Sequence, residues 1–105
     1  MIPFHDFWDR LIPQLREIQT IPNWTKDGKM RTEDFQAQYK GGNYIECAID
    51  DGSIISVPKK DFHYIYYRWD DYMTDRIKRN NLRDESRYTK YVISIIHNFI
   101  HLTYD

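Results

Sequence analysis

The chain has 105 residues and a mass of 12.9 kDa, the size of one domain, because two cores of half this length would each bury too little surface. Hydrophobic residues make up 41% of the sequence and aromatic residues 16%, which excludes an intrinsically disordered chain and predicts a single folded domain over residues 1–105. The net charge of −1 gives no argument for general polyanion binding, and the single cysteine, Cys47, excludes both a disulfide framework and a zinc site of several thiolates.

Three features of the sequence bear on where the protein works. No run approaches the roughly 18 consecutive apolar residues that a membrane span requires. The first six residues, MIPFHD, contain no basic region ahead of an apolar one, so we expect no signal peptide. A single cysteine fits a reducing compartment, and we therefore expect a cytoplasmic protein.

Apolar residues near the N-terminus recur at steps of three and four, the spacing that lines one face of a helix. They are Phe4, Phe7, Trp8, Leu11, Ile12, Leu15 and Ile18. We predict a helix from about residue 4 to residue 19, with a kink or a break at Pro13, because proline removes one backbone donor. Residues 21–24 should then leave the helix, since the residue before Pro22 avoids the α region.

Between residues 24 and 57 the apolar period changes to two, which is typical of strands. The alternating apolar residues are Phe35, Ala37 and Tyr39 in one run, Ile45, Cys47 and Ile49 in the next, and Ile54, Ile55 and Val57 in the last. We predict a small antiparallel sheet of three or four strands, the fourth lying near residues 29–32. The dipeptide Asp51-Gly52 predicts a two-residue hairpin turn between the last two runs, because such a turn needs positive φ.

After residue 59 the helical period returns and predicts a second amphipathic helix. Its apolar face consists of Phe62, Ile65, Tyr66, Trp69 and Tyr72. Asp61 is the predicted start of this helix, because its carboxylate can accept hydrogen bonds from the first backbone amides.

Two further helices are predicted in the C-terminal part. Asn80 or Asn81 should cap a short helix that ends near Glu85, and Thr89 should cap a strongly apolar helix that ends near Leu102. The predicted fold is α+β: a kinked N-terminal helix, a small antiparallel sheet and a C-terminal helical unit with helix-turn-helix-like proportions, the helices covering one face of the sheet. We expect one core that includes Phe62, Ile65, Trp69, Val92, Ile95, Ile96 and Phe99.

Charge is unevenly distributed along the chain. Residues 43–75 hold seven acidic and three basic residues, whereas residues 76–90 hold six basic and two acidic ones, a local charge of +4. The last two predicted helices meet within this basic run through a tight connection, as in a helix-turn-helix. In that motif the second helix enters the major groove of DNA, and flanking arginines and lysines contact phosphates.

The candidate nucleic-acid-binding residues therefore form two groups. The predicted reading face consists of Arg87, Thr89, Lys90 and Ser94. The predicted phosphate clamp consists of Arg76, Lys78, Arg79 and Arg83. The alternative is that the basic run only balances Asp70, Asp71 and Asp75 on the preceding helix, an intramolecular arrangement of small net value.

The runs VPKKDF, WDDY, IKRNNLR and SRYTKYVISII lie between residues 57 and 96. Together they resemble a segment of uncharacterised bacterial proteins from mobile elements, including integron gene cassettes. In that segment a glycine often precedes the basic run, and Asp75 stands near that place here. The resemblance implies a mobile-element origin and leaves the function open, with a link to DNA as one expectation. It transfers no catalytic residue.

The remaining residues with catalytic or metal-binding side chains do not form a recognisable catalytic or metal site in the sequence. His97 and His101 have the i, i+4 spacing by which two imidazoles can share a metal, but a third ligand is missing. Asp50 and Asp51 are explained by the predicted turn, and Cys47 has no basic neighbour in sequence that would activate its thiol. We therefore expect no enzyme activity, no metal site and no cofactor.

Aromatic residues supply the second functional interpretation. Three tryptophans and nine tyrosines exceed what so small a core easily encloses, and aromatic surface is enriched at protein interfaces. One interpretation is thus a small non-enzymatic protein that binds nucleic acid through its basic segment. The other is a homodimer or partner-protein interaction module without nucleic-acid binding. Neither involves a membrane, and no small-molecule substrate is evident.

Overall fold

The computed structural model describes residues 1–28, 33–49 and 51–105. Within these residues an N-terminal helix is followed by a four-stranded antiparallel sheet and then by helices, so the predicted α+β class is confirmed. The helices are α1 (Phe4–Leu15), α2 (Lys59–Tyr66), α3 (Trp69–Met73), α4 (Arg79–Arg83) and α5 (Thr89–Asn98). The strands are β1 (Gln19–Ile21), β2 (Phe35–Gln38), β3 (Tyr44–Ala48) and β4 (Ile54–Pro58).

The first helix forms as predicted but ends earlier. It runs through Pro13 without a break, whereas the chain beyond Leu15 leaves the helix instead of continuing to residue 19. The reason is β1, which pairs antiparallel with β2 and so commits residues 19–21 to the sheet. Ile18, assigned to the apolar stripe of the helix, is consequently 56% exposed.

The sheet has the strand order β1-β2-β3-β4, and each neighbouring pair is antiparallel. The three strands predicted from alternation are present. The additional strand is β1, while the one predicted near residues 29–32 lies outside the described residues. One face of the sheet is buried, and its inward side chains are Ile21, Phe35, Ala37, Ile45, Cys47 and Val57.

The turn between β3 and β4 lies at the predicted place but has a different form. The Ile49 N–H donates to the Ser53 carbonyl oxygen at 3.1 Å, and the Gly52 N–H donates to the Ile49 carbonyl oxygen at 2.9 Å. Three residues, not two, therefore separate the paired positions. Gly52 takes the left-handed conformation, with φ of 86°, at the end of the loop, where glycine has no Cβ to hinder it.

The second predicted helix is divided into α2 and α3, with Tyr67 and Arg68 between them. The expectation that Asp61 starts α2 is wrong, because the helix begins at Lys59 and Pro58 occupies the capping position. Asp61 is instead buried in the first turn and accepts a hydrogen bond from the Ser86 hydroxyl at 2.9 Å. This bond ties α2 to the connection between α4 and α5.

The predicted caps of the last two helices are also corrected. Asn80 and Asn81 both lie inside α4, whose capping position is Lys78, and the Asn81 side-chain oxygen accepts from the Lys78 N–H at 2.8 Å. Thr89 is the first residue of α5 and not its cap. The last helix ends at Asn98, and a short 3₁₀ segment, Ile100–Thr103, follows it.

In the described residues one apolar core lies between the sheet and the helices, and all five helices contribute side chains to it. All seven predicted core residues belong to it, so that prediction is confirmed. Trp8, Tyr66 and Tyr72 are also buried, and the Phe7 and Tyr66 rings stack with centroids 4.9 Å apart, whereas Tyr44, Tyr67 and Tyr104 are exposed. None of the helices found in the described residues is both long and apolar enough to cross a bilayer.

Candidate nucleic-acid interface

The basic segment, residues 76–90, covers the turn after α3, the whole of α4 and the first two residues of α5. The turn is tight because Asp75 adopts the left-handed conformation, with φ of 64°. The N–H groups of Arg76 and Ile77 then both donate to the Asp71 carbonyl oxygen, at 2.8 and 3.2 Å. These bonds end α3 and fix the direction in which the basic segment leaves it.

The eight candidate site residues differ in exposure. The exposed ones are Arg76, Lys78, Arg83 and Arg87. The half-buried ones are Arg79 and Lys90. The buried ones are Thr89 and Ser94. The basic side chains of the segment thus reach the surface at least in part, whereas the two hydroxyl side chains do not.

Thr89 and Ser94 cannot serve on an exposed reading face, which corrects the expectation drawn from the sequence. The Ser94 hydroxyl oxygen accepts from the Trp24 N–H at 3.0 Å, and the hydroxyl donates to the Asn23 side-chain oxygen at 3.4 Å. The Thr89 hydroxyl donates to the Ser86 carbonyl oxygen at 2.9 Å. Both hydroxyls are therefore used inside the fold, because α5 packs its polar side against neighbouring backbone.

Two residues of the basic segment pair with acidic neighbours. Arg76 Nη1 lies 3.4 Å from Asp71 Oδ1, and Lys78 Nζ lies 3.8 Å from Asp75 Oδ1. These ion pairs are solvent-exposed, so they contribute little to stability. The charge-balancing interpretation accounts for these two basic residues.

The charge-balancing interpretation does not account for Arg83 and Arg87. In residues 1–28, 33–49 and 51–105, no carboxylate forms an ion pair with either guanidinium. Lys90 lies beside an aromatic ring, with its Nζ 5.4 Å from the centroid of Tyr91. The second half of the basic segment therefore presents basic side chains that form no ion pair with an acidic side chain of the described residues.

Lys26 also belongs to this surface, although sequence analysis did not single it out. Its Nζ donates to the Tyr72 carbonyl oxygen at 2.7 Å and pairs with the Asp75 carboxylate. The hydrogen bond from Lys26 holds the pKa of the Asp75 carboxyl below its ordinary value. The neighbourhood of Lys26 in sequence gives no sign of this, because its partners come more than forty residues later in the chain.

The contacts and burial of His97 and Cys47 indicate structural roles for both side chains. The His97 ring stacks on Trp24 with centroids 3.9 Å apart, and burial lowers the pKa of His97, while His101 lies beyond the end of α5. Burial raises the pKa of the Cys47 thiol to about 12, so it is a poor nucleophile at neutral pH. No three ligand-type side chains come together for a metal ion in the part of the chain that the structure describes.

Comparison with known proteins finds no match to this chain among family models, curated proteins or solved structures. What the protein does must be inferred from its own side chains. The basic segment contributes two exposed arginines, Arg83 and Arg87, that form no ion pair with a described residue.

Proposed function

We propose that this protein is a small non-enzymatic binding protein that contacts the phosphates of nucleic acid through its basic segment. The observation that carries the proposal is the pair Arg83 and Arg87, both exposed and without an ion-pair partner among the described residues. An unpaired guanidinium presents a planar fork of donors that matches two phosphate oxygens.

The contact is proposed to be with the backbone rather than with base edges. Sequence is read by side chains that reach into a groove, and the two hydroxyls expected to do so, those of Thr89 and Ser94, are buried. Arginines and lysines alone supply affinity that depends on salt but little on sequence. The resemblance of residues 57–96 to mobile-element proteins supports a link to DNA.

Charge reversal tests the proposal. The double variant Arg83→Glu, Arg87→Glu should lose binding to a fluorescently labelled duplex or single strand in anisotropy titrations at low salt, because phosphate contacts become repulsive. A matched control, Arg16→Glu with Lys60→Glu, makes the same change of charge at two exposed positions outside the segment and should keep most of the affinity. If wild-type protein raises the anisotropy of neither the duplex nor the single strand at low salt, the proposal is wrong.

A second candidate function is favoured by the outer face of the sheet. Ile18 and Ile54 are 56% and 62% exposed and line the same small groove. Two large apolar side chains exposed together are a feature of protein-binding surfaces. This candidate is a homodimer or a complex with a partner protein. Sedimentation velocity of wild type and Ile54→Lys over a range of concentrations tests the homodimer, which requires association that the variant abolishes.

A further inference from the structure

A cleft of about 420 Å³ lies between residues 25–27, in the loop after β1, and the stretch from α3 to α4. Its basic lining residues are Lys26, Lys78, Arg79 and Arg83, and its acidic ones are Asp27 and Asp75. Among the described residues, four basic and two acidic side chains give the lining a formal charge of +2. The cleft is therefore electropositive, although the whole chain carries −1.

Two buried polar atoms of lining residues have no hydrogen-bond partner among the described residues. They are the hydroxyl oxygen of Thr25 and the Nε of Arg79. A buried polar group without a partner is unfavourable, and its presence in a native fold requires an explanation. The Arg79 Nε–H can only donate, and the Thr25 hydroxyl can donate as well. Both atoms are solvent-inaccessible in this conformation, so a ligand that brings hydrogen-bond acceptors into the cleft satisfies them once the side chains that cover them rotate away.

Positive charges converge at the same place. Burial raises the pKa of the Tyr72 phenol, which also lines the cleft, while the charges of Arg79, Lys26 and Arg83 act on this pKa in the opposite direction. Lys26 is occupied by Asp75, whereas Arg79 and Arg83 form no ion pair in the described chain. Two guanidinium groups therefore remain to receive an anion.

We propose that this cleft binds a single phosphate group. Arg79 donates to it from its guanidinium, Thr25 donates from its hydroxyl, and Arg83 supplies a second positive charge. A phosphate presents several acceptor oxygens in different directions, which suits donors on separate elements, whereas a carboxylate presents two oxygens in one plane. A dianionic phosphomonoester also matches the +2 charge of the lining.

The proposal goes beyond nucleic-acid binding and does not depend on it. Arg76, Arg87 and Lys90 belong to the basic segment but do not line the cleft. Two sources supply such a phosphate group. One is the terminal phosphate of a phosphomonoester, and the other is a phosphodiester within a nucleic-acid backbone. Both offer the same acceptor chemistry, and they differ in charge and in the number of ester substituents.

The test is an NMR titration of ¹⁵N-labelled protein with inorganic phosphate at constant ionic strength, with sodium chloride as the balancing salt. Saturable shifts are expected for amides of residues 25–27 and 77–83. Thr25→Val and Arg79→Gln should each weaken binding by about tenfold, because each removes a donor to a charged acceptor. The control Arg76→Gln, which changes an exposed arginine outside the cleft, should stay within roughly twofold of wild type.

Absence of saturation in wild type, or an equal loss in the Arg76→Gln control, overturns the proposal, provided that the spectra of the variants retain the wild-type dispersion. If Arg79→Gln does not fold, Thr25→Val decides alone, since it replaces a hydroxyl by a methyl of nearly equal size. Parallel titrations with methyl phosphate and dimethyl phosphate identify the source. Binding of the first alone assigns a monoester, and binding of both extends the site to backbone phosphates.

The same samples separate this proposal from nucleic-acid binding. Arg87→Gln should weaken oligonucleotide binding and leave the phosphate titration unchanged, because Arg87 does not line the cleft. Protein that binds duplex but no inorganic phosphate overturns the cleft proposal alone. Protein that binds phosphate but no oligonucleotide overturns the nucleic-acid proposal alone.

Discussion

Asp75 shows how one residue sets the geometry of the basic segment. It takes a left-handed conformation, with φ of 64°, and its carboxylate pairs with Lys26 and Lys78. Glycine adopts this conformation without steric cost, and aspartate is among the residues that tolerate it best. The backbone conformation at this position therefore favours aspartate or glycine over residues with larger or branched side chains.

Substitutions at Asp75 separate conformation from charge. Asp75→Gly and Asp75→Ala both remove the ion pairs with Lys26 and Lys78. Only alanine keeps a Cβ, which is unfavourable in the left-handed region. Asp75→Gly should therefore be the more stable variant in urea unfolding followed by circular dichroism. Equal stability of the two variants would show that the backbone at this position is not held in the left-handed conformation.

His97 predicts a pH dependence of stability. Burial lowers its pKa from the ordinary value of 6.5, so the folded protein takes up a proton less readily than the unfolded chain. At about pH 7.5 and above the histidine is neutral in both states and its contribution is complete. As pH falls through 6.5 the unfolded chain takes up the proton first, so stability should decrease from about pH 7.5 toward about pH 5.5.

Urea unfolding, monitored through Trp24 and the other tryptophans, measures the pH effect. His97→Gln should show a smaller decrease than wild type over the same range, because glutamine does not titrate. The remaining histidines are exposed, so the difference between the two proteins isolates His97. A decrease of the same size in wild type and His97→Gln would contradict the assignment.

At the scale of elements, apolar periodicity predicts a helix or strand correctly where tertiary packing does not override the local pattern. Strands β2, β3 and β4 follow from apolar alternation, because one face of the sheet is buried and the other is open to solvent. Strand β1 could not be predicted, since Ile18 continues the helical stripe in phase and only the pairing of Gln19 with Ala37 makes the segment a strand. Tertiary pairing decided this segment against its local pattern.

The polar side of α5 shows a second limit of prediction from sequence, which does not reveal that a polar side chain is buried. Ser94 was expected to face outward because serine is polar, yet its hydroxyl is buried and bonded to residues more than sixty positions earlier in the chain. A buried polar side chain is acceptable when it is hydrogen-bonded, and the sequence does not reveal such a distant partner. The apolar side of α5 was predicted correctly because its spacing alone identifies it.

A core prediction belongs to the same helix. Ile96 is fully buried in α5, so Ile96→Ala should reduce the free energy of unfolding by about 2–4 kcal/mol. The matched control is Ile18→Ala, the same change at an exposed position, which should cost less than about 0.5 kcal/mol. Urea melts measure both, and similar losses for the two variants would contradict the placement of α5 in the core.

At the scale of the whole molecule, the sequence reveals the basic run but not the surface that it helps to build. Six basic residues within residues 76–90 are visible to simple counting. Thr25 and Lys26 are not, because the fold brings them to Arg79 and Tyr72 from about fifty residues away. Composition thus located the candidate interface, and only the packing of the loop after β1 against α3 and α4 shows the cleft beside it.

The central claim is that the basic segment contacts nucleic-acid phosphates, and the salt dependence of binding tests it most directly. The measurement is the slope of log affinity against log salt concentration for wild type and for Arg83→Gln, Arg87→Gln on one duplex. Wild-type affinity should fall steeply with salt, and neutralising two phosphate contacts should make the slope shallower by about 2, because each contact releases close to one counterion. Binding that does not respond to salt, or a slope that is the same in both proteins, would contradict the claim.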